Sequence, residues 1–347
     1  MSDLNWLRTF HGFLFVDKPE GITSQDVITR LQHALIARSG GKLKKRELPA
    51  MGHGGTLDPF ATGLLVVAVG DGVKLTRYLL GSDKSYAADV AFGARTASGD
   101  LTNEVTERTD HRPRELESLR QIAASFLGEP YLQIPPMYSA KKIEGVPLYE
   151  LARKGLSVER AAVACTVRKF EVLGVTPDPS RTRAVSVNGD FSESGPLPIA
   201  SVRIKTTVTA GTFIRTLAED FAVRAGSLAH LTSLRRLASG SLSLDAALSL
   251  DGLAAALAEG RAWSDLSCFI PFHRAVLGIL PRMEIDLMTA EKIFAGEVRT
   301  LAQLTLSGPG SIALYAKDRL VAIVRDAEPT LGTARTIERG FPLRFRD

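Results

Sequence analysis

The longest apolar run in the chain, LLVVAVG from Leu64 to Gly70, is the length of a single strand, and it is entered through a glycine-dense segment, GHGGTLDP from Gly52 to Pro59. A membrane-crossing helix needs ~18 apolar residues or more, so the chain is expected to fold in water around short buried strands. Its 347 residues, 45% of them apolar, suggest two domains at about 150 residues each. A chain of this size can bury most of its apolar surface, which excludes disordered and fibrous architectures. Cys165 and Cys268 are its two cysteines and form no CxxC pair, which argues against a disulfide framework or a cysteine-rich zinc site and fits a reducing compartment. The apolar stretch Phe10–Val16 is broken by His11 and Gly12, against a cleaved signal, so a cytoplasmic location is expected.

Gly12–Val16 reads as a buried strand followed by the turn DKPEG, and Thr23 with Asp26 has capping-box spacing ahead of a helix from Ser24 to Ile36. Lys84–Phe92 and Ser201–Val208 alternate as strands, while Arg114–Phe126, Thr216–Ala225 and Leu250–Ala262 read as helices. Asp178–Pro198, rich in Pro, Ser, Gly and Asp, reads as a hairpin tip or loop between two strands of one sheet. Phe269–Pro281 reads as a linker, and beyond it short strands at Ser311–Tyr315 and Leu320–Arg325 with a helix at Thr289–Gly296 suggest a small barrel. The pattern is a large mixed α/β domain followed by a small, mainly β one.

Several chemistries lack their usual motifs. There is no GxxxxGK[ST] loop, GxGxxG spacing, GxSxG elbow, HExxH or CxxC. Five basic residues fall within nine positions (Arg38, Lys42, Lys44, Lys45 and Arg46), as a solvated loop or a phosphate-facing arm. The net charge of +5 is compatible with a polyanionic partner without identifying one. Asp58 stands out within Gly-Thr-Leu-Asp-Pro: the glycines allow a close backbone approach to a ligand, and Pro59 stiffens the peptide that carries the carboxylate. Spacing alone favours a plain turn at this position.

A set of motifs in order adds to that reading. GHGGTLDPFATG (Gly52–Gly63) resembles the catalytic motif of the TruB family of pseudouridine synthases. FVDKPEGITS (Phe15–Ser24) resembles that family's N-terminal DKPxGxxS motif, DKSY (Asp83–Tyr86) its tyrosine motif, and PPMYSAKKIEGVPLYELARKG (Pro135–Gly155) its mid-chain signature. GTFIRTL (Gly211–Leu217) and LRRL (Leu234–Leu237) are similar to its arginine motif and the segment after it. The tail, including LVAIV (Leu320–Val324), is similar to the PUA-like RNA-binding domain of many bacterial members.

The resemblance implies an α+β fold: a catalytic domain over residues 1–270 on a central, mostly antiparallel sheet, and a PUA-like, barrel-like domain over 278–347. It implies an isomerase that converts the T-loop uridine of tRNA, position 55 by tRNA convention, to pseudouridine. No cofactor and no metal are expected, because the reaction neither oxidises nor hydrolyses. The expected partner is the T-arm of tRNA, with no membrane, no obligate protein partner and a monomeric chain. By match to the motifs, Asp58 is the catalytic aspartate, Arg215 its pairing arginine, and Tyr86 the tyrosine beside the target base. His53 is implied as an RNA contact, Phe213 and Leu234 as lining of the uracil pocket, and Lys18 and Pro19 as the N-terminal motif that supports the substrate site. Phe213 replaces the tyrosine common in the family, keeping the ring and losing a hydroxyl. Three alternatives remain: a relative acting on rRNA or with a guide RNA, a non-catalytic RNA-binding or folding factor, and a glycosidase. The last would need a second carboxylate near Asp58, and no local spacing offers one.

Overall fold

The computed structural model describes residues 6–178, 197–275, 280–304, 310–325 and 336–341. Strand β1 (Gly12–Lys18) turns into helix α1 (Ser24–Arg38), whose start is the expected capping box: Thr23 Oγ1 accepts from the Asp26 amide, and the Asp26 carboxylate accepts from the Thr23 amide at 2.9 Å. Val27, Ile28, Leu31, Ala34 and Leu35 supply its buried face. Then follow β2 (Met51–His53), β3 (Thr62–Val69), β4 (Lys84–Phe92), α2 (Leu116–Ala124), β5 (Val167–Pro177), β6 (Ile199–Val208), α3 (Ile214–Arg224), β7 (Ala229–Ser239), α4 (Leu250–Ala258) and β8 (Phe269–Pro271).

These strands make one sheet in the order β5-β6-β4-β7-β3-β1. Strand β2 pairs with β3, and β8 with β1. All of these pairings are antiparallel except β7–β3, which is parallel and confined to Arg235↔Thr62 and Arg236↔Gly63. Two antiparallel stretches of sheet therefore meet at one short parallel joint, and the glycine-dense loop enters β3 there. Gly63 makes that joint possible: it has φ +98°, and a Cβ on it would sit 2.3 Å from the Arg236 carbonyl oxygen. Strand β3 is buried from Gly63 to Val69, as its unbroken apolar sequence requires. Helix α1 packs on α4, α2 on β5 and α3 on β7.

The boundaries differ from the sequence reading where an end signal lies outside the periodic pattern. Helix α4 stops at Ala258, short of 262, because Gly260 at φ +85° takes the left-handed cap and its amide donates back to the Leu257 carbonyl. The expected linker begins too early: Phe269–Pro271 is β8, seated on β1, and Phe269 lies against Phe10 and Trp263. β5 and β6 are adjacent and antiparallel; positions 179–196 of the segment between them lie outside the described residues. Arg38 ends α1 and does not join the basic loop. Its guanidinium donates to the Arg261 carbonyl at 2.8 Å and stacks 4.5 Å from the Trp6 ring centre. Cys165 and Cys268 are buried free thiols.

The C-terminal module comprises β9 (Arg282–Glu284), α5 (Leu287–Phe294), β10 (Ser311–Ala316), β11 (Arg319–Arg325) and β12 (Thr336–Gly340). Among the described residues its strands run in the order β9-β10-β11-β12, a small, mainly β unit as expected. Alternation along β10 divides its two faces. Ile312, Leu314 and Ala316 join the module's own core with Ile293 and Leu301, whereas Ala313 and Tyr315 pack into the core of the large sheet. The Tyr315 hydroxyl donates to the His273 carbonyl. Glu338 accepts from the Tyr78 hydroxyl at 2.9 Å and lies 3.4 Å from Arg77. No helix among the described residues is long and apolar enough to cross a membrane.

Candidate active site

Asp58 sits on the loop between β2 and β3, and that loop is fastened from both sides. From the N-terminal motif, the Gly21 amide donates to the Pro59 carbonyl at 2.8 Å, and Ser24 Oγ both accepts from the Leu57 amide and donates to its carbonyl. Lys18 is fully buried, its ammonium donating to the carbonyls of Pro19, Ile22 and Pro59 at 2.8, 2.7 and 3.1 Å. From β7, Arg236 Nε donates to the Leu64 carbonyl at 2.7 Å and Nη2 to the Gly55 carbonyl at 3.1 Å. A sequence-distant strand thereby satisfies carbonyls that a glycine-rich loop leaves without partners of its own.

Arg215 is the second residue of α3 and 5% exposed; its Nε donates to Asp58 Oδ2 at 3.0 Å. Its remaining donors are also used: Nη1 reaches the Ser98 carbonyl at 2.6 Å and lies 3.5 Å from Asp100 Oδ2, and Nη2 reaches the Tyr138 carbonyl at 2.6 Å. Burial raises the Asp58 pKa above the ordinary aspartate value; Arg215 pulls it back and Asp100 pushes it up. The carboxylate therefore depends on the guanidinium to stay ionised, and an ionised carboxylate is what a nucleophile requires.

Above this pair lies a cavity of about 440 Å³ lined by Asp58, Tyr86, Phe213, Arg215, Leu234 and Lys84 among others, within the usual size of small-ligand pockets, about 300–1,000 Å³. Register explains the convergence. Tyr86 on β4 stands opposite Arg236 on β7, and Ala88 opposite Leu234, so Tyr86 and Leu234 share a face beside the parallel joint. Of the residues singled out from sequence, the fold brings Asp58, Tyr86, Arg215, Phe213 and Leu234 to the cavity. It does not bring the others. Lys18 lies beneath the loop with its ammonium on three carbonyls, Pro19 is exposed on the adjoining turn, and His53 is on β2 opposite Val67. Burial and the nearby Arg236 lower the His53 pKa, favouring the neutral ring.

Sequence reasoning missed three groups. Arg236 was visible only as half of an Arg-Arg pair on a strand, where alternation sends one of the two inward. Lys84 caps the helix Thr76–Leu80, donating to the carbonyls of Leu79 and Leu80 and to that of Ser82; burial lowers its pKa to about 8. Asp100 lies in a turn with no periodic signal. Local spacing offers no second carboxylate beside Asp58, but the fold supplies one, bringing Asp100 onto Asp58's arginine. Its Oδ1 accepts from Ser98 Oγ at 2.7 Å and the Thr102 amide at 2.9 Å, and the residue is buried, so it holds the arginine and faces no water.

Glu219, one helical turn after Arg215, has its pKa raised to about 7, chiefly by burial, with Arg95 opposing. Raised above its usual 4.5, it contributes stability that is complete below 4.5 and is lost as pH rises through about 7. Glu219→Gln is expected to melt above wild type at about pH 8 and to lose that advantage at about pH 5. Thermal melts across this range check it; a variant less stable at the higher pH would mean that the attraction of Arg95 outweighs burial.

The comparisons agree with the fold. A chain of a Cbf5-Nop10-Gar1 complex superposes with a TM-score of 0.65 over 97% of this chain and 86% of that one, at 22% identity. A family model described as the TruB family pseudouridylate synthase N-terminal domain matches residues 43–192. The protein named tRNA pseudouridine synthase B in Geobacter sulfurreducens is 39% identical over 285 residues, covering 82% of this chain and 81% of that one. The protein of the same name in Ralstonia nicotianae is 37% identical over 310 residues, 89% of this chain and 86% of that one. The chain is thus a pseudouridine synthase, an isomerase, and the carboxylate–arginine pair under an aromatic-walled cavity is its candidate site. The chain belongs to the TruB family.

Proposed function

We propose that this synthase acts on tRNA and converts the T-loop uridine at position 55. The observation that carries the reading is the Asp58–Arg215 pair, 3.0 Å apart, in a cavity walled by Tyr86, Phe213 and Leu234. Names of relatives at 37–39% identity support tRNA as the substrate. The reaction breaks N1–C1′, turns the uracil and joins C5 to C1′, with C5 giving up its proton and N1 taking one up. Substrate and product are isomers, so no redox equivalent or hydrolytic water enters the balance. Asp58 is the carboxylate that acts on the nucleoside, Arg215 holds it ionised and aimed, and Tyr86 and Phe213 offer ring faces to the uracil over Leu234. A stacked loop base is out of reach of side chains, so the nucleotide is flipped into the cavity, at a cost of a few kcal/mol offset by stacking and backbone contacts. Residues 1–270 carry this chemistry, and the module over 278–347 adds RNA contact, in a monomer working in the cytoplasm.

Mapping pseudouridine on an unmodified tRNA transcript tests the reading. Product at the T-loop uridine, and none on a transcript with cytidine there, is expected. Product only on another RNA would move the substrate, and tight binding without product on any RNA would favour a folding factor. If the exposed cluster Lys42, Lys44, Lys45 and Arg46 faces phosphates, neutralising it should flatten the salt dependence of transcript binding by roughly 0.7–0.9 for each phosphate it no longer neutralises. An unchanged slope would leave it a solvated loop.

A further inference from the structure

Helix α3 delivers Arg215, yet it begins without a capping side chain of its own. Its N-cap is Phe213, at φ −93° and ψ 111°, and a phenylalanine cannot accept from the exposed amides of a first turn as Ser, Thr or Asp does. What fixes this residue comes from 80 positions away. Phe213 N–H donates to Gln133 Oε1 at 2.9 Å, and Gln133 Nε2 donates to the Phe213 carbonyl at 3.1 Å. One amide thus grips both backbone polar groups of one residue, as a neighbouring strand would.

The amide is itself held. Gln133 is 1% exposed and ends the short strand Tyr131–Gln133, paired antiparallel with Val163–Cys165. Its Oε1 also accepts from Cys165 Sγ at 3.3 Å, and its Nε2 meets the Tyr131 hydroxyl. The Phe213 N–H and the Cys165 thiol both donate and the Phe213 carbonyl accepts, which leaves one orientation for the amide. Five residues on, the same segment supplies the Tyr138 carbonyl that receives Arg215 Nη2 at 2.6 Å. The arginine is therefore tied to the mid-chain segment at two points: through its guanidinium, and through the backbone two residues before it.

We infer that Gln133 is a positioning residue of this synthase, setting the Phe213 ring in the uracil cavity and the start of the helix that aims Arg215 at Asp58. The inference rests on the assignment of Asp58, Arg215 and Phe213 proposed above. Misplacing a reacting group by a fraction of an ångström is costly because the attack geometry is narrow, whereas transcript binding draws on the whole RNA surface. Loss of the clamp should therefore slow the chemical step and leave affinity in place.

The test compares wild type with Gln133→Ala and Gln133→Glu by single-turnover pseudouridine formation on a tRNA transcript, transcript affinity, and amide hydrogen exchange at Phe213. The Ala variant is expected to react about 10- to 100-fold more slowly, the scale of one or two missing buried hydrogen bonds. Its affinity should stay within about threefold of wild type, with faster exchange at Phe213. The Glu variant supplies a readout that a merely structural role would not move. Ionised, it faces the Phe213 carbonyl with no donor; protonated, it is shaped like Gln, donates to that carbonyl and accepts from the amide. Burial raises such a carboxyl's pKa, so the ratio of its rate to the wild-type rate should climb towards one as pH falls from about 8 to about 6. A ratio that stays flat with pH, or weakened binding at an unchanged single-turnover rate, would overturn the inference. So would wild-type exchange at Phe213 in the Ala variant. A wild type that forms no product would sink the functional reading instead, and exchange at Phe213 would still decide whether Gln133 holds that residue.

Discussion

Replacing Asp58 by Asn is expected to leave a tRNA transcript bound and to reduce pseudouridine formation at least about 10⁴-fold, the scale of losing an essential nucleophile. The substitution keeps the size of the side chain and removes its charge. Arg215 does not collapse in its absence, because Asp100 and the carbonyls of Ser98 and Tyr138 still hold the guanidinium. A loss of turnover with intact affinity is therefore a statement about chemistry and not about the cavity's shape. Single-turnover assays beside equilibrium binding check it, and a variant within about tenfold of wild type would place the reacting group elsewhere. The wild-type rate also carries the signature of this carboxylate in its pH profile. Because burial raises the Asp58 pKa, the acid limb should lie at higher pH than an ordinary aspartate would give, with activity lost as pH falls through it.

Arg215→Lys is the second large effect: turnover down about 100-fold or more, affinity changed by less than about threefold. Four acceptors surround the guanidinium in different directions: Asp58 at 3.0 Å, Asp100 at 3.5 Å, and the carbonyls of Ser98 and Tyr138 at 2.6 Å each. A planar fork with five N–H groups can serve them together, and a single ammonium cannot. The lysine would keep the charge while surrendering the direction in which it is delivered, so Asp58 would stay paired at best loosely and its carboxylate would protonate more readily. Equal rates in wild type and variant would reduce Arg215 to a scaffold residue. Alongside Gln133→Ala, this variant separates two ways of harming the same group: altering the guanidinium itself, and releasing the backbone that carries it.

The amino-acid sequence by itself determined the local elements and singled out the candidate pair, Asp58 and Arg215. The Thr23–Asp26 box, the alternation of Lys84–Phe92 and the apolar run of β3 are short-range signals, each written within a few neighbouring residues, and each element formed where it was read. Asp58, Tyr86 and Arg215 were legible because they lie in contiguous motifs in a recognisable order, not because spacing alone revealed their chemistry. Tertiary structure decided the rest. Lys18 and Lys84 look like solvent-facing charges in sequence; the fold buries them, and their ammonium groups satisfy backbone carbonyls beneath and beside the loop. Arg236, Asp100 and Gln133 reach the site across 180, 42 and 80 positions, measured to Thr56, Asp58 and Phe213. No periodicity marks such residues, because a buried donor or acceptor is chosen by what remains unsatisfied in three dimensions once the strands have paired. The loop that carries Asp58 offers carbonyls, the helix that carries Arg215 offers an uncapped start, and only the completed sheet brings to each the distant side chain that meets it.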